Sequence, residues 1–266
     1  MTISQSNDWK ILCLEVDKES KEVGRFIGNI WPSKILCFHQ SEICWNASKM
    51  EISLKELMKL EGRIFTVYGN GFFHNFTYGL VKNIGDVRSN AYSYVHIDQH
   101  TDTNDQFMKL LTCANFVNFI PIYSNGRTVR HIGIKHVLGH VPRSDILKAD
   151  EITDSGMVDS LEKLMCGTVD DAYVSMDLDV LLPNEMQTAY PGGNVDLSTF
   201  LQVIDWLKVN KRIISADALG FADLPSEFGS KYMKEKSLLV YAMIAATLFG
   251  EDRTVFKKEH ERLMKY

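Results

Sequence analysis

The chain has 266 residues, long enough for one substantial hydrophobic core. Apolar residues make up 45% and charged residues 24%, the balance of an ordinary soluble globular protein. With a net charge of -5 and no run of five like charges, nothing in it calls for a nucleic-acid surface. Five cysteines, Cys13, Cys37, Cys44, Cys113 and Cys166, show no CxxC spacing. They read as free, largely buried thiols of a reducing compartment. MTISQSNDWK has no apolar signal-peptide core, so a cytoplasmic protein is expected. The apolar stretch 238–249 is too short to cross a bilayer.

In chain order, ILCLEV (11–16) and KILCFH (34–39) read as strands and SLKELMKLEG (53–62) as a helix with Leu54, Leu57 and Leu60 on one face. RIFTVYG (63–69) and YSYVHID (92–98) are again strands. A helix is expected over 104–120, after Asn104 or Asp105 as its cap. Strands follow at 130–134 and 172–180, then an irregular loop at 183–195 holding Tyr190 and the pair Gly192–Gly193. A helix over 198–212, capped by Ser198, leads into a strand at 212–220, and a buried helix runs over 236–250, ending at Gly250. The charged tail KKEHERLMKY reads as a helix packed at an edge or between subunits. Several strands are apolar throughout, as strands covered on both faces are. Alternation with helices predicts a parallel sheet between helical layers. No linker or repeat divides the chain, so one domain over 1–266 is expected.

Carboxylates and imidazoles gather at the ends of these strands. His74 follows VYGNGFF, Asp98, His100 and Asp102 stand in YVHIDQHTD, and Asp177 and Asp179 stand in AYVSMDLDVLLP. Residues spaced by two on an extended segment point to the same side. An acid at the end of a buried strand is costly unless something positive compensates it. Two divalent cations would balance the four aspartates, with His74 and His100 as directional ligands. Oxygen-rich ligation with some imidazole suits manganese, and iron, cobalt, nickel or zinc also fit. Such a pair of ions activates a shared water and stabilises a tetrahedral intermediate.

These motifs resemble those of the ureohydrolase family, which includes arginase, agmatinase and formiminoglutamase. GNGFFHN is similar to the family's glycine-rich segment ending in a metal-binding histidine, DQHTD to its DxHxD motif, and SMDLDVLLP to SxDxDxxDP with Leu182 in place of the last aspartate. The resemblance implies a three-layer α/β/α fold with a mainly parallel sheet of about eight strands. It also implies two Mn2+ ions held by His74, Asp98, His100, Asp102, Asp177 and Asp179. Asp98 and Asp177 would bridge, and Asp102 would position the nucleophile.

On the substrate side the chain departs from that pattern. Where arginase has a proton-shuttling histidine, this chain reads CANFVN (113–118), which leaves His39, His131, His136 or His140 for the role. In SADALGFADLP the acid that grips guanidinium aligns with Gly220, which leaves Asp223 or Glu227. Asn104, Asn115 and Asp217 complete the substrate-side candidates. These departures imply a peptide arginase, converting arginine side chains to ornithine with release of urea. A ureohydrolase of free arginine, agmatine or a formimino compound, a metal-dependent deacetylase, and a non-catalytic scaffold that binds peptide remain alternatives. The expected partner is an arginine-containing peptide or small guanidino compound, with no nucleic acid or membrane and with homo-oligomerisation open.

Overall fold

One eight-stranded sheet forms the centre of the computed structural model, which describes residues 9–37, 62–87, 91–106, 110–120, 126–152, 156–224 and 231–264. The strands are β1 (Trp9–Glu15), β2 (Ser33–Cys37), β3 (Arg63–Tyr68), β4 (Tyr92–Ile97), β5 (Gly126–Ile134), β6 (Ile146–Lys148), β7 (Asp171–Asp177) and β8 (Arg212–Leu219). Their order across the sheet is β2-β1-β3-β8-β7-β4-β5-β6, and every pairing is parallel. The helices are α1 (Lys18–Gly28), α2 (Phe76–Val87), the single turn α3 (Ala149–Ile152), α4 (Met157–Met165), α5 (Leu197–Asn210), α6 (Lys231–Phe249) and α7 (Thr254–Leu263).

Strand alternation, reset in β8 by a bulge at Ile214, divides the apolar residues between two cores, giving the α/β/α layering. Val95, Ile97, Val174, Met176, Ala216 and Ala218 face a layer that includes Phe200, Ile204, Tyr241 and Ile244 from α5 and α6. Tyr94, Tyr173, Ile214 and Leu219 face Phe76, Tyr78 and Val81 of α2, together with Phe116 and Val117. Helix α6 is buried on all sides from Lys236 to Leu248, so it shows no polar stripe. The C-terminal helix α7 seats Leu263 in the first of these cores.

Several expectations need correction. The span expected as a helix over 104–120 is irregular where described, apart from a 3-10 turn at Phe116–Phe119. Its backbone is diverted by Asn115, whose Oδ1 accepts from the Thr112 N–H at 2.8 Å and whose Nδ2 donates to the Leu110 carbonyl at 2.7 Å. Helix α5 is capped by Asp196, which accepts from the Thr199 N–H at 2.9 Å, rather than by Ser198. Of the described cysteines only Cys13 is buried; Cys113 is half-buried, and Cys37 and Cys166 are exposed. Cys44, His39, Glu227 and almost all of the helix expected at 53–62 lie outside the described residues. Among the described residues, no helix is long and apolar enough to cross a membrane.

Candidate metal centre

The four central strands, β3, β8, β7 and β4, bring their C-terminal ends together, the edge where open parallel sheets bind ligands. One level beneath that edge, the strand register aligns Thr66, Asp217, Ser175, His96 and His131 as a polar row across five strands. All five side chains are buried. At the edge itself, β4 runs on into Asp98, His100 and Asp102, β7 ends at Asp177 with Asp179 in the following 3-10 turn, and β3 leads through Asn70 to a second 3-10 turn. Asn70 caps that turn by accepting from the Phe72 N–H at 3.0 Å, which delivers His74 to the cluster.

His74 Nδ1 lies 3.3 Å from Asp98 Oδ2, 3.1 Å from Asp102 Oδ2 and 3.5 Å from Asp177 Oδ2. His100 Nδ1 lies 3.3 Å from Asp98 Oδ1 and 3.2 Å from Asp179 Oδ2. The Asp98 carboxylate thus turns one oxygen to each imidazole, so it would be placed to reach two ions. Two ligand groups result, His74–His96–Asp98–Asp102 and Asp98–His100–Asp179, with Asp98 in both. The buried atoms His74 Nδ1, His96 Nε2 and Asp98 Oδ2 have no hydrogen-bond partner. Unpaired buried polar atoms are costly and uncommon in proteins, and a pair of divalent cations satisfies all three. The donor set therefore fits the ions that the sequence leads one to expect.

His74 Nε2 sits 3.0 Å from Ser175 Oγ, which donates to Asp217 Oδ1 at 2.8 Å. Ser175 therefore accepts from Nε2–H, which turns Nδ1 toward the acids. Asp217 also accepts from Tyr173 Oη and, at 3.2 Å, from Thr77 Oγ1. It belongs to the support beneath the cluster rather than to the cavity.

Without cations the cluster cannot hold all its charges in their ordinary forms. Burial pushes Asp177 well above the usual carboxylate range, with Asp179 and Asp98 adding to the effect. Burial and Asp98 bring Asp179 to about 7. Burial also raises Asp102. Burial acts against the charged form of Asp98 too, but the imidazoles of His100, His74 and His96 hold it well below the usual range. His100 is raised to about 11, because Asp179 and Asp98 outweigh its desolvation. Metal uptake must displace protons from Asp179 and His100, so affinity falls as pH drops through 7. Titration calorimetry in buffers of different ionisation enthalpy is expected to show proton release on Mn2+ binding and tighter binding at pH 8 than at pH 6.

The backbone around Asp102 is constrained. Asp102 has φ 49°, an unusual value for a residue with a side chain. Its carbonyl accepts from the Val117 N–H at 3.3 Å. The adjoining loop is tied by Thr101 Oγ1, which donates to the Leu138 carbonyl at 2.9 Å, and a Cβ on Gly139 (φ +68°) would sit 1.8 Å from the Thr103 carbonyl oxygen. Gly139→Ala is therefore expected to lower Tm by about 4–8 °C in a thermal melt, corresponding to roughly 2 kcal/mol.

A cavity of about 160 Å³ opens over the cluster, bordered by Asp98, His100, Asp102, Asp177, Asp179, Cys113 and Tyr190 among others. Burial, with Asp102 nearby, raises Cys113 to about 11, so it is a neutral thiol where the resemblance leads one to expect a shuttling histidine. Several substrate-side candidates do not reach this cavity. His140 is exposed on the surface. Asp223 faces Lys234 at 3.5 Å and Lys18 at 3.8 Å. Asn104 spends Oδ1 on the Gln106 N–H at 3.0 Å, and Asn115 is engaged as described above. His136 stacks on His100, and His131 lies behind His96. Sequence reasoning passed over His96, Ser175 and Cys113. The alternation 94, 96, 98 along β4 was the available signal for His96.

An all-parallel sheet between helical layers, with a buried cluster of acids and imidazoles at its carboxyl edge, defines an α/β/α protein with a candidate metal site. The model of the Arginase family matches residues 34–222, and the chain belongs to that family. No curated protein matches the sequence. Among solved structures, the chain is similar to a hypothetical agmatinase from Burkholderia thailandensis (15% identity, 96% of this chain and 87% of that chain, TM-score 0.66). It is also similar to proclavaminate amidino hydrolase from Streptomyces clavuligerus (15%, 96% and 92%, 0.66) and to Entamoeba histolytica arginase in complex with L-ornithine (15%, 91% and 97%, 0.62). At this identity the likeness establishes the fold alone.

Proposed function

We propose that the protein is a manganese-dependent ureohydrolase that converts arginine side chains within a peptide to ornithine and urea. The observation that carries the reading is the convergence of His74, Asp98, His100, Asp102, Asp177 and Asp179 at one sheet edge, with contacts of 3.1–3.5 Å around His74 and His100. In this proposal His74, Asp98, Asp102 and Asp177 hold one ion and Asp98, His100, Asp177 and Asp179 the other. When bound, the ions supply Lewis-acid activation of water and stabilisation of negative charge.

The chain's own groups do the rest. Asp102 borders the cavity and orients the water that attacks the guanidino carbon. Asp217 and Ser175 keep His74 in its working tautomer. No histidine outside the ligand set lines the cavity among the described residues, so water carries the proton to the leaving amine. Loss of a C–N bond then yields urea and the amine.

Three features support a peptide over a free amino acid. The cavity of about 160 Å³ lies below the roughly 300–1,000 Å³ of sites that bury a whole small ligand, and it suits a side-chain end. Asn104 and Asn115 are occupied locally rather than offered to an α-amino or α-carboxylate group. At the mouth, Phe72 and Tyr190 remain 54% and 39% exposed with rings 5.1 Å apart, an apolar lip for flanking residues.

Mn-loaded protein incubated with arginine-containing peptides is expected to release urea, and each converted residue loses the mass of cyanamide. Free arginine and agmatine, assayed beside the peptides, are expected to turn over poorly. Turnover of the free compounds alone would remove the peptide; no turnover of any guanidino compound would remove the ureohydrolase.

A further inference from the structure

We propose that His96 is a third imidazole donor to the metal pair, with His131 behind it selecting the tautomer; the inference rests on the metal-centre reading above. His96 shares a face of β4 with Tyr94, and its Nε2 lies 3.2 Å from Oδ2 of Asp98, just beyond the strand, and 3.8 Å from Asp102 Oδ2. A protonated Nε2 at that distance from a carboxylate would be expected to make a hydrogen bond, yet both Nε2 and Asp98 Oδ2 are unpartnered. His74 Nδ1 has the same signature: buried, 3.1–3.3 Å from the same two aspartates, and unpartnered. Two imidazoles are thus presented in the same way to one point.

The far side of each ring completes the parallel. His74 rests its Nε2 on Ser175, and His96 rests its Nδ1 on His131 Nδ1 at 3.2 Å. One nitrogen of the His96–His131 contact must donate and the other accept. When His96 donates, its Nε2 lone pair faces the acids, which is the arrangement of a ligand whose second nitrogen is anchored. The ring has little freedom to turn away. Tyr94 stacks beside it at 5.9 Å and 22°, Phe116 meets it edge-on at 5.8 Å, and no part of His96 reaches solvent. The opposite tautomer would make His96 a hydrogen-bond donor to Asp98 or Asp102, outside the coordination sphere.

A third nitrogen alters the chemistry of the site nearest His74. Imidazole-rich sites suit iron, cobalt, nickel and zinc, whereas carboxylate-rich sites suit manganese. The two positions are thereby made unequal, with the His74–His96 side more favourable to the nitrogen-preferring ions.

X-ray absorption on the full chain carrying two Co2+ ions tests the assignment without any substitution. The expected result is three coordinated imidazoles shared by the two ions. In 15N-histidine-labelled protein, His96→Gln is expected to remove one metal-shifted imidazole signal and to lower the affinity for one ion by about 10-fold or more. Two coordinated imidazoles in wild-type protein that carries both ions would overturn the role of His96 and leave the metal centre standing. Failure of the wild-type protein to take up Co2+, Mn2+ or Zn2+ would overturn both.

Discussion

Asp98→Asn is expected to abolish binding of the second ion and to reduce urea release by on the order of 10³-fold or more. Asp98 stands in both ligand groups, and it turns one oxygen toward His74 and the other toward His100. The substitution is nearly isosteric, but it exchanges one oxygen for an amide nitrogen that cannot ligate, and it removes a negative charge. Loss of several kcal/mol of Lewis-acid stabilisation corresponds to a rate change of this size. Metal content by mass spectrometry and urea release on the same preparation check the result. Circular dichroism is expected to show a folded chain, because Asp98 lies beyond the last residue of β4 and its removal also relieves repulsion from Asp177 and Asp179.

Asp217→Ala is expected to destabilise the fold by about 3 kcal/mol, a fall in Tm of roughly 6–12 °C. Asp217 is fully buried and accepts from Tyr173, Ser175 and Thr77, so its truncation leaves three hydroxyls without their acceptor. The effect extends to the metal centre: Ser175 loses the partner that orients it, and the support for His74 weakens. A drop in metal affinity of about 10-fold is expected alongside the thermal shift. Asp217→Asn keeps an acceptor oxygen and is expected to show a smaller loss in both. Thermal melts and Mn2+ titrations of the two variants measure the difference.

Much of the scaffold was legible because its strands are buried on both faces. Runs such as YSYVHI and AYVSMD are apolar or aromatic at most positions, and polar punctuation marks their ends. The three-residue β6 was missed because so short a strand carries no periodicity. Helix α1 was missed because KESKEVGRFIG is mostly polar; its start lies in the pairing of Asp17 with Ser20, a capping box built from two side chains rather than from a hydrophobic stripe. The helix expected over 104–120 failed for the opposite reason. Its described residues 110–115 form a turn held by Asn115, a side-chain interaction that competes with helix formation.

The convergence of acids and imidazoles was legible where spacing along one segment decides direction, as in Asp98–His100–Asp102 and Asp177–Asp179. Residues whose role depends on neighbouring strands were not. His96 meets His131, and Ser175 meets Asp217, only through the register of separate strands. His140 and Asp223 stood close in sequence to the right regions, but nearness in sequence does not fix which way a loop side chain points. His140 turns to solvent and Asp223 to two lysines.

The most direct measurement is a calorimetric titration of the metal-stripped full chain with Mn2+ at pH 8. The account expects two ions per chain, with proton release. Binding of one ion or none would contradict a paired-cation centre at the carboxyl edge of this sheet.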